Sequence, residues 1–191
     1  MNKVMFLAAV PAILLSTGVA RARNSAPPVA CVYEGVAHNR SIKPDVLDQL
    51  AANNLNAQTS DQKEANQSIA QEVAKCRAKY GWGKAHQDAA VHYLEARLFY
   101  NLQNPVLDAY GITYDMMDSI VSGFTPEQRQ TFNGGTVTGP MLDGVVAQLK
   151  TAGAKVGSLS QDDVNKLYGP LDKALVAVLN EQQAVDDYKK R

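Results

Sequence analysis

The side chains able to carry chemistry are few, and their spacing narrows what they can do. The chain holds three histidines, His38, His86 and His92. His86 and His92 stand six residues apart, about 240° around a helix, so they face apart. Asp88, His92 and Glu95 fall at spacings of four and three and share one helical face. A metal or a small ligand would be engaged through that trio, although the same spacing also describes a solvated polar face. No HExxH motif and no zinc-type cysteine spacing occurs, so no metal is assigned. Neither a Gly-x-Ser-x-Gly elbow nor the motif set of a β-lactamase is present, and no catalytic residue or cofactor is assigned. Asp162 and Asp163 stand at a helix start, where they complement the dipole. The glycine-bearing loop 133–140 feeds a helix N-terminus but lacks the lysine and spacing of a phosphate loop.

The chain has two cysteines, Cys31 and Cys76. Their pairing depends on the compartment, and residues 1–22 read as a secretory signal. Lys3 supplies the positive start, residues 4–15 are nearly all apolar, and Ala20-Arg21-Ala22 fits a small-x-small cleavage pattern, with Gly18-Val19-Ala20 competing. The rival reading is a membrane anchor, but the apolar run falls short of the roughly 20 residues a span requires, and Pro11 interrupts it. Pro28 and the polar stretch before it argue against Cys31 as a lipidated first residue. The reading is therefore a periplasmic or secreted protein with no membrane span in its mature chain. In an oxidising compartment an even number of cysteines implies a Cys31–Cys76 disulfide.

Aromatic residues concentrate in the middle of the chain: Tyr80, Trp82, Tyr93, Phe99, Tyr100, Tyr110 and Tyr114. Large aromatics are usually core, but those with polar tips also line grooves for peptides, glycans or apolar ligands. Trp82, Asp88, His92, Glu95 and Tyr100 are together the candidate ligand or partner surface.

The elements that must position these groups are helical. Ala65, Ile69, Val73, Cys76 and Tyr80 form one apolar stripe. Thr59 with Gln62 is a capping-box start, and Gly81 is a left-handed terminator before Trp82. A second helix carries Ala90, Val91, Leu94, Leu98 and Leu102, widened by Tyr93, Phe99 and Tyr100, and is expected to be the most buried. Pro44 and Asp45 open a short helix over Val46, Leu47 and Leu50. Further helices start at Pro105, Thr113, Thr125-Pro126, Pro140 and Ser160. Gly169-Pro170 reads as a turn, after which Leu171, Ala174, Leu175, Val178, Leu179 and Val185 make a last stripe. Residues 31–36 are extended or a short helix, and 136–138 are a single extended piece. The organisation is a signal peptide over 1–22, an extended or mobile segment over 23–43, and a helical domain over 44–191. The fold class is all-α, a compact single-domain array of about six to eight helices.

Phe124-Thr125-Pro126-Glu127-Gln128 is similar to the Leu-Thr-x-x-Gln motif of a family of small helical periplasmic stress chaperones, and Leu159-Ser160-Gln161-Asp162-Asp163 is a looser second copy. The first copy has Phe for Leu; the second has Ser for Thr and Asp for Gln. The resemblance implies an exported all-α chaperone, while a helix capping box accounts for the same residues.

Composition bounds the function. Hydrophobic residues make up 46%, enough for a core, and charged residues 20%, too few for a disordered chain. Cleavage after Ala22 would remove Lys3 and Arg21, leaving 17 basic against 19 acidic residues, a net of −2. That argues against nucleic acid as a partner. The expected function is that of an exported non-enzymatic helical protein that binds another macromolecule in the cell envelope, stress-chaperone-like or inhibitor-like, its partner an exported or envelope protein. The alternative is a small-ligand binder or enzyme using the aromatic middle with Asp88, His92 and Glu95.

Overall fold

The computed structural model describes residues 28–190 apart from Thr136 and Ser158. The expected signal segment 1–22, the tail residues 23–27, the start of the extended piece at 136 and the C-terminal Arg191 lie outside the described residues.

Among the described residues the protein is all-α, with nine α-helices and no strand. A 3-10 turn at Pro28–Ala30 leads into α1 (Cys31–Ala37), followed by α2 (Pro44–Ala52), α3 (Ser60–Tyr80), α4 (Lys84–Asn101) and α5 (Asn104–Ala109). The chain continues through α6 (Tyr114–Ser122), α7 (Pro126–Asn133), α8 (Gly139–Thr151) and α9 (Gln161–Lys189).

Local chemistry sets most of the boundaries. Thr59 and Gln62 exchange both bonds of a capping box at the start of α3, and Thr125 and Gln128 do the same at α7. Thr113 and Ser160 cap α6 and α9 through their side-chain oxygens. Helix α3 ends at Gly81, whose φ of +69° is left-handed. The N–H groups of Gly81 and Trp82 both donate to the Arg77 carbonyl, at 2.9 and 3.2 Å. That closure turns Trp82 back onto the last turn, where it stacks on Tyr80 with ring centroids 5.6 Å apart.

Helices α4 and α9 pack most extensively against one another and form a spine. Two apolar clusters lie along it. The first gathers Val29 and Val32, Leu50 of α2, Ile69 of α3, Trp82, α4 from Ala89 to Leu98, and Ala184 near the end of α9. The second gathers Leu107, Met117, Phe132 and Leu149 from α5 to α8 around Leu171, Leu175 and Val178 of α9. As expected, α4 is heavily buried, with Ala89, Ala90, Tyr93, Leu94, Ala96, Leu98 and Tyr100 all inside.

Residues 31–36, read as extended or a short helix, are helical within α1, and Val29, Ala30, Val32 and Val36 are buried. The disulfide between Cys31 and Cys76, with Cα atoms 6.0 Å apart, fastens α1 to α3. Gly35 lies at this crossing, where a Cβ would stand 2.5 Å from the Glu72 carboxylate, the end of a flexible side chain. One local expectation is corrected: Gly169-Pro170 does not turn the chain, and α9 continues through it. Leu167, Leu171, Ala174 and Val178 are spaced four, three and four, so one buried stripe crosses the proline in register. Gly169 has no Cβ to clash with the proline ring, and burial of that stripe outweighs the lost hydrogen bond.

Candidate functional site

The α4–α9 seam is lined with small residues. Ala96 on α4 and Ala177 and Ala184 on α9 are buried. Alanine lets the two helices approach but leaves the space above the seam unfilled. The result is a groove of about 470 Å³. Its walls are His92, Glu95 and Phe99 from α4, and Val176, Asn180, Gln183 and Asp187 from α9. The lining positions recur every three to four residues on each helix, so each contributes one continuous face. Asn54 also lines it. It stands at φ +50°, followed by Leu55 at φ +58°, a left-handed pair of non-glycine residues in the turn after α2. The turn is held by the Leu55 N–H donating to the Leu50 carbonyl at 2.8 Å and by Asn66 Nδ2 donating to the Leu55 carbonyl at 2.8 Å.

The groove has an apolar floor and a polar rim. Glu95 is half-buried, and burial raises its carboxyl above the usual glutamate range while the neighbouring His92 opposes the rise. Gln183 Nε2 donates to Asp187 Oδ1 at 2.9 Å, and Lys190 stands 3.5 Å from the same oxygen. The ionisable groups of the described lining are His92, Glu95 and Asp187, set beside the amides of Asn54, Asn180 and Gln183. The lining suits noncovalent binding.

On another face of the same helix pair lies a buried polar cluster. Arg97 Nη1 of α4 and Glu181 Oε2 of α9 stand 3.4 Å apart, with side chains 19% and 7% exposed. The hydroxyls of Tyr93 and Tyr114 donate to the Glu181 carboxylate. The Arg97 guanidinium lies 4.0 Å from the Tyr114 ring centroid and 5.2 Å from that of Tyr33. Burial lifts Glu181 above the usual carboxylate range, opposed by Arg97 and by the two tyrosine hydroxyls. Burial also pushes the Tyr100 hydroxyl up to about 12, and raises Tyr93 and Tyr114 further, helped by the Glu181 charge. This cluster is sealed by aromatic rings rather than open to a ligand.

The residues singled out from the sequence separate into three groups. His92 and Glu95 come together in the groove. Asp88, although on their helical face, stands outside the groove, where Lys84 Nζ donates to both its carboxylate oxygens at 2.9 Å. Trp82 and Tyr100, named with the candidate ligand or partner surface, are buried at 4% and 2% exposure and lie outside this groove. The Trp82 indole N–H donates to the Tyr188 hydroxyl at 2.8 Å, so its polar tip is satisfied within the protein. Among the described residues, no group of three His, Cys, Asp or Glu side chains is placed to hold a metal ion.

Sequence reasoning missed the α9 wall, Val176, Ala177, Asn180, Gln183, Ala184 and Asp187, together with Asn54. It also missed Glu181. One signal was readable: Glu181 follows Val178 by three residues, on the inward side of the last stripe. In the chaperone-like motif, Thr125 and Gln128 are occupied in capping α7, and in the second copy Ser160 and Asp163 exchange bonds at the start of α9.

No protein family, curated protein or solved structure matches this chain. Among the described residues no helix is long and apolar enough to cross a membrane. The disulfide is compatible with an oxidising compartment.

Proposed function

We propose that this is an exported, non-enzymatic binding protein whose working surface is the α4–α9 groove, and that its occupant is a small organic molecule. The observation that carries this reading is the groove itself: about 470 Å³, within the range of small-molecule sites, with alanines below and amide and carboxyl groups above. The macromolecular reading receives less support. It calls for a broad exposed apolar patch, and the large apolar side chains exposed among the described residues are Tyr80 and Val106, on α3 and α5. Periplasmic or secreted residence is supported by the signal-like residues 1–22 and by the Cys31–Cys76 bond.

A second cavity, about 310 Å³ beside Cys31 and Cys76, is lined by Glu34, Glu72, Lys75 and Lys79 among others. Glu72 there is engaged by Lys75 at 2.8 Å and crowded against Gly35, which makes it part of the α1–α3 crossing.

The test is chemical-shift mapping of a fragment library on isotope-labelled protein. Hits that converge on Ala96, Phe99, Ala177 and Ala184 support the reading. Hits elsewhere, together with a single stoichiometric protein retrieved by pull-down from an envelope extract, would favour the macromolecular one.

A further inference from the structure

We infer that the groove selects an organic cation, an ammonium group carried on a short apolar body, with Glu95 as its counter-ion. The inference rests on the groove reading and adds the chemical class of the occupant.

The charge of the lining is one-sided. Its titratable groups are His92 and Glu95 on α4 and Asp187 on α9, and no lysine or arginine lines it. Asp187 is shared with Gln183 and Lys190 at the groove end. Glu95 differs. Among the described residues no side chain or backbone group forms a hydrogen bond or ion pair with it; its electrostatic neighbour is His92. A carboxylate half-removed from water without a compensating donor gains most from a cation brought in by a ligand. The raised protonation range of Glu95 has the same origin, loss of solvent without gain of a partner.

The remaining lining describes the body of the ligand. Ala96, Ala177 and Ala184 present a narrow apolar floor, and Val176 and Phe99 present its walls. A phenyl or short alkyl group buries its surface there, and Phe99 adds an aromatic ring to which an ammonium group is attracted. Asn54, which also lines the groove and stands in the left-handed turn fastened by the bond from Asn66 to Leu55, offers an amide to a polar substituent. A carboxylate ligand of the same size would meet Glu95 with like charge.

The experiment uses three probes with comparable bodies and different heads: phenethylammonium, 2-phenylethanol and 3-phenylpropanoate. Each is titrated at neutral pH into wild-type protein and the Glu95→Gln variant, with Ala96, Phe99, Ala177 and Ala184 followed by NMR. The expected result is saturable binding of the ammonium probe roughly tenfold or more tighter than the alcohol, with no detectable binding of the carboxylate. Glu95→Gln should bring the ammonium and alcohol affinities together. Equal affinities of these two probes for wild-type protein overturn the cation inference and leave the groove reading standing. So does an ammonium affinity unchanged in Glu95→Gln. Failure of all three probes to perturb the groove signals overturns the inference; a fragment screen with no groove hit removes the groove reading itself.

Discussion

Arg97 and Glu181 meet 3.4 Å apart across the α4–α9 seam, at the boundary between the two apolar clusters. On α4, Leu94 and Leu98 belong to the first cluster and Tyr100 to the second; on α9, Leu179 belongs to the second and Ala184 to the first. The ion pair therefore sits where the two cores join, and four tyrosines surround it. Tyr93 and Tyr114 satisfy the carboxylate, while Tyr114 and Tyr33 face the guanidinium. Tyr100 packs edge-on against Tyr114 with ring centroids 5.2 Å apart.

Removing one partner of this pair leaves a buried charge without compensation. Glu181→Ala should destabilise the protein by about 3–5 kcal/mol. The double variant Arg97→Met/Glu181→Leu, which removes both charges at similar volume, should recover most of that loss. Urea unfolding of the three proteins measures both quantities. A Glu181→Ala midpoint equal to wild type would show that the pair is not coupled to folding.

The same cluster sets the alkaline limit. Tyr93, Tyr100 and Tyr114 have protonation ranges raised above the ordinary phenol value of 10.0, Tyr100 to about 12. A raised folded value favours the neutral form in the native state. The resulting stability is fully present below pH 10 and is lost as pH climbs through the folded values. Phenolate absorbance from these three tyrosines should therefore appear together with loss of helicity. Complete tyrosine ionisation ahead of any change in far-ultraviolet circular dichroism would contradict this.

Gly81 tests the α3–α4 corner. No heavy atom lies within 4 Å of a Cβ built there, so a substitution is opposed by backbone conformation alone. At φ +69° the cost of Gly81→Val should be about 1–3 kcal/mol. Gly83, also uncrowded but at φ −75°, is the control. Gly83→Ser should change stability by no more than a few tenths of a kcal/mol, since serine and glycine both suit an N-cap. Comparable losses at the two sites in thermal melts would show that the left-handed conformation is not the cause.

The Cys31–Cys76 bond closes a separation of 45 residues. Loop-closure entropy for that length corresponds to about 4 kcal/mol. Reduction, or the double variant Cys31→Ala/Cys76→Ala, should lower the melting temperature and free residues 28–37 from α3. Enhanced amide exchange at Val32 and Val36 reports that release. A melting temperature indifferent to reductant would assign the anchoring of α1 to its buried valines alone.

What was legible in the sequence is what a few consecutive residues decide. The capping boxes of Thr59 with Gln62 and Thr125 with Gln128, the Gly81 terminator and the apolar stripes depend on neighbours within one or two helical turns. The all-α class followed from them, and the disulfide followed from cysteine parity together with the signal-like residues 1–22. The tertiary structure decided everything that joins α4 to α9. Arg97 and Glu181 are 84 residues apart in the chain, and no local pattern specifies that their faces meet. The same docking buries Tyr100, while Trp82 is buried against Tyr188 of α9; helix spacing cannot say which aromatic finds a partner. Pro170 punctuates a local reading, yet the stripe from Leu167 to Val178 packs continuously and carries the helix through it. The groove is set by Ala96, Ala177 and Ala184, residues too small to announce a site until two helices are laid side by side.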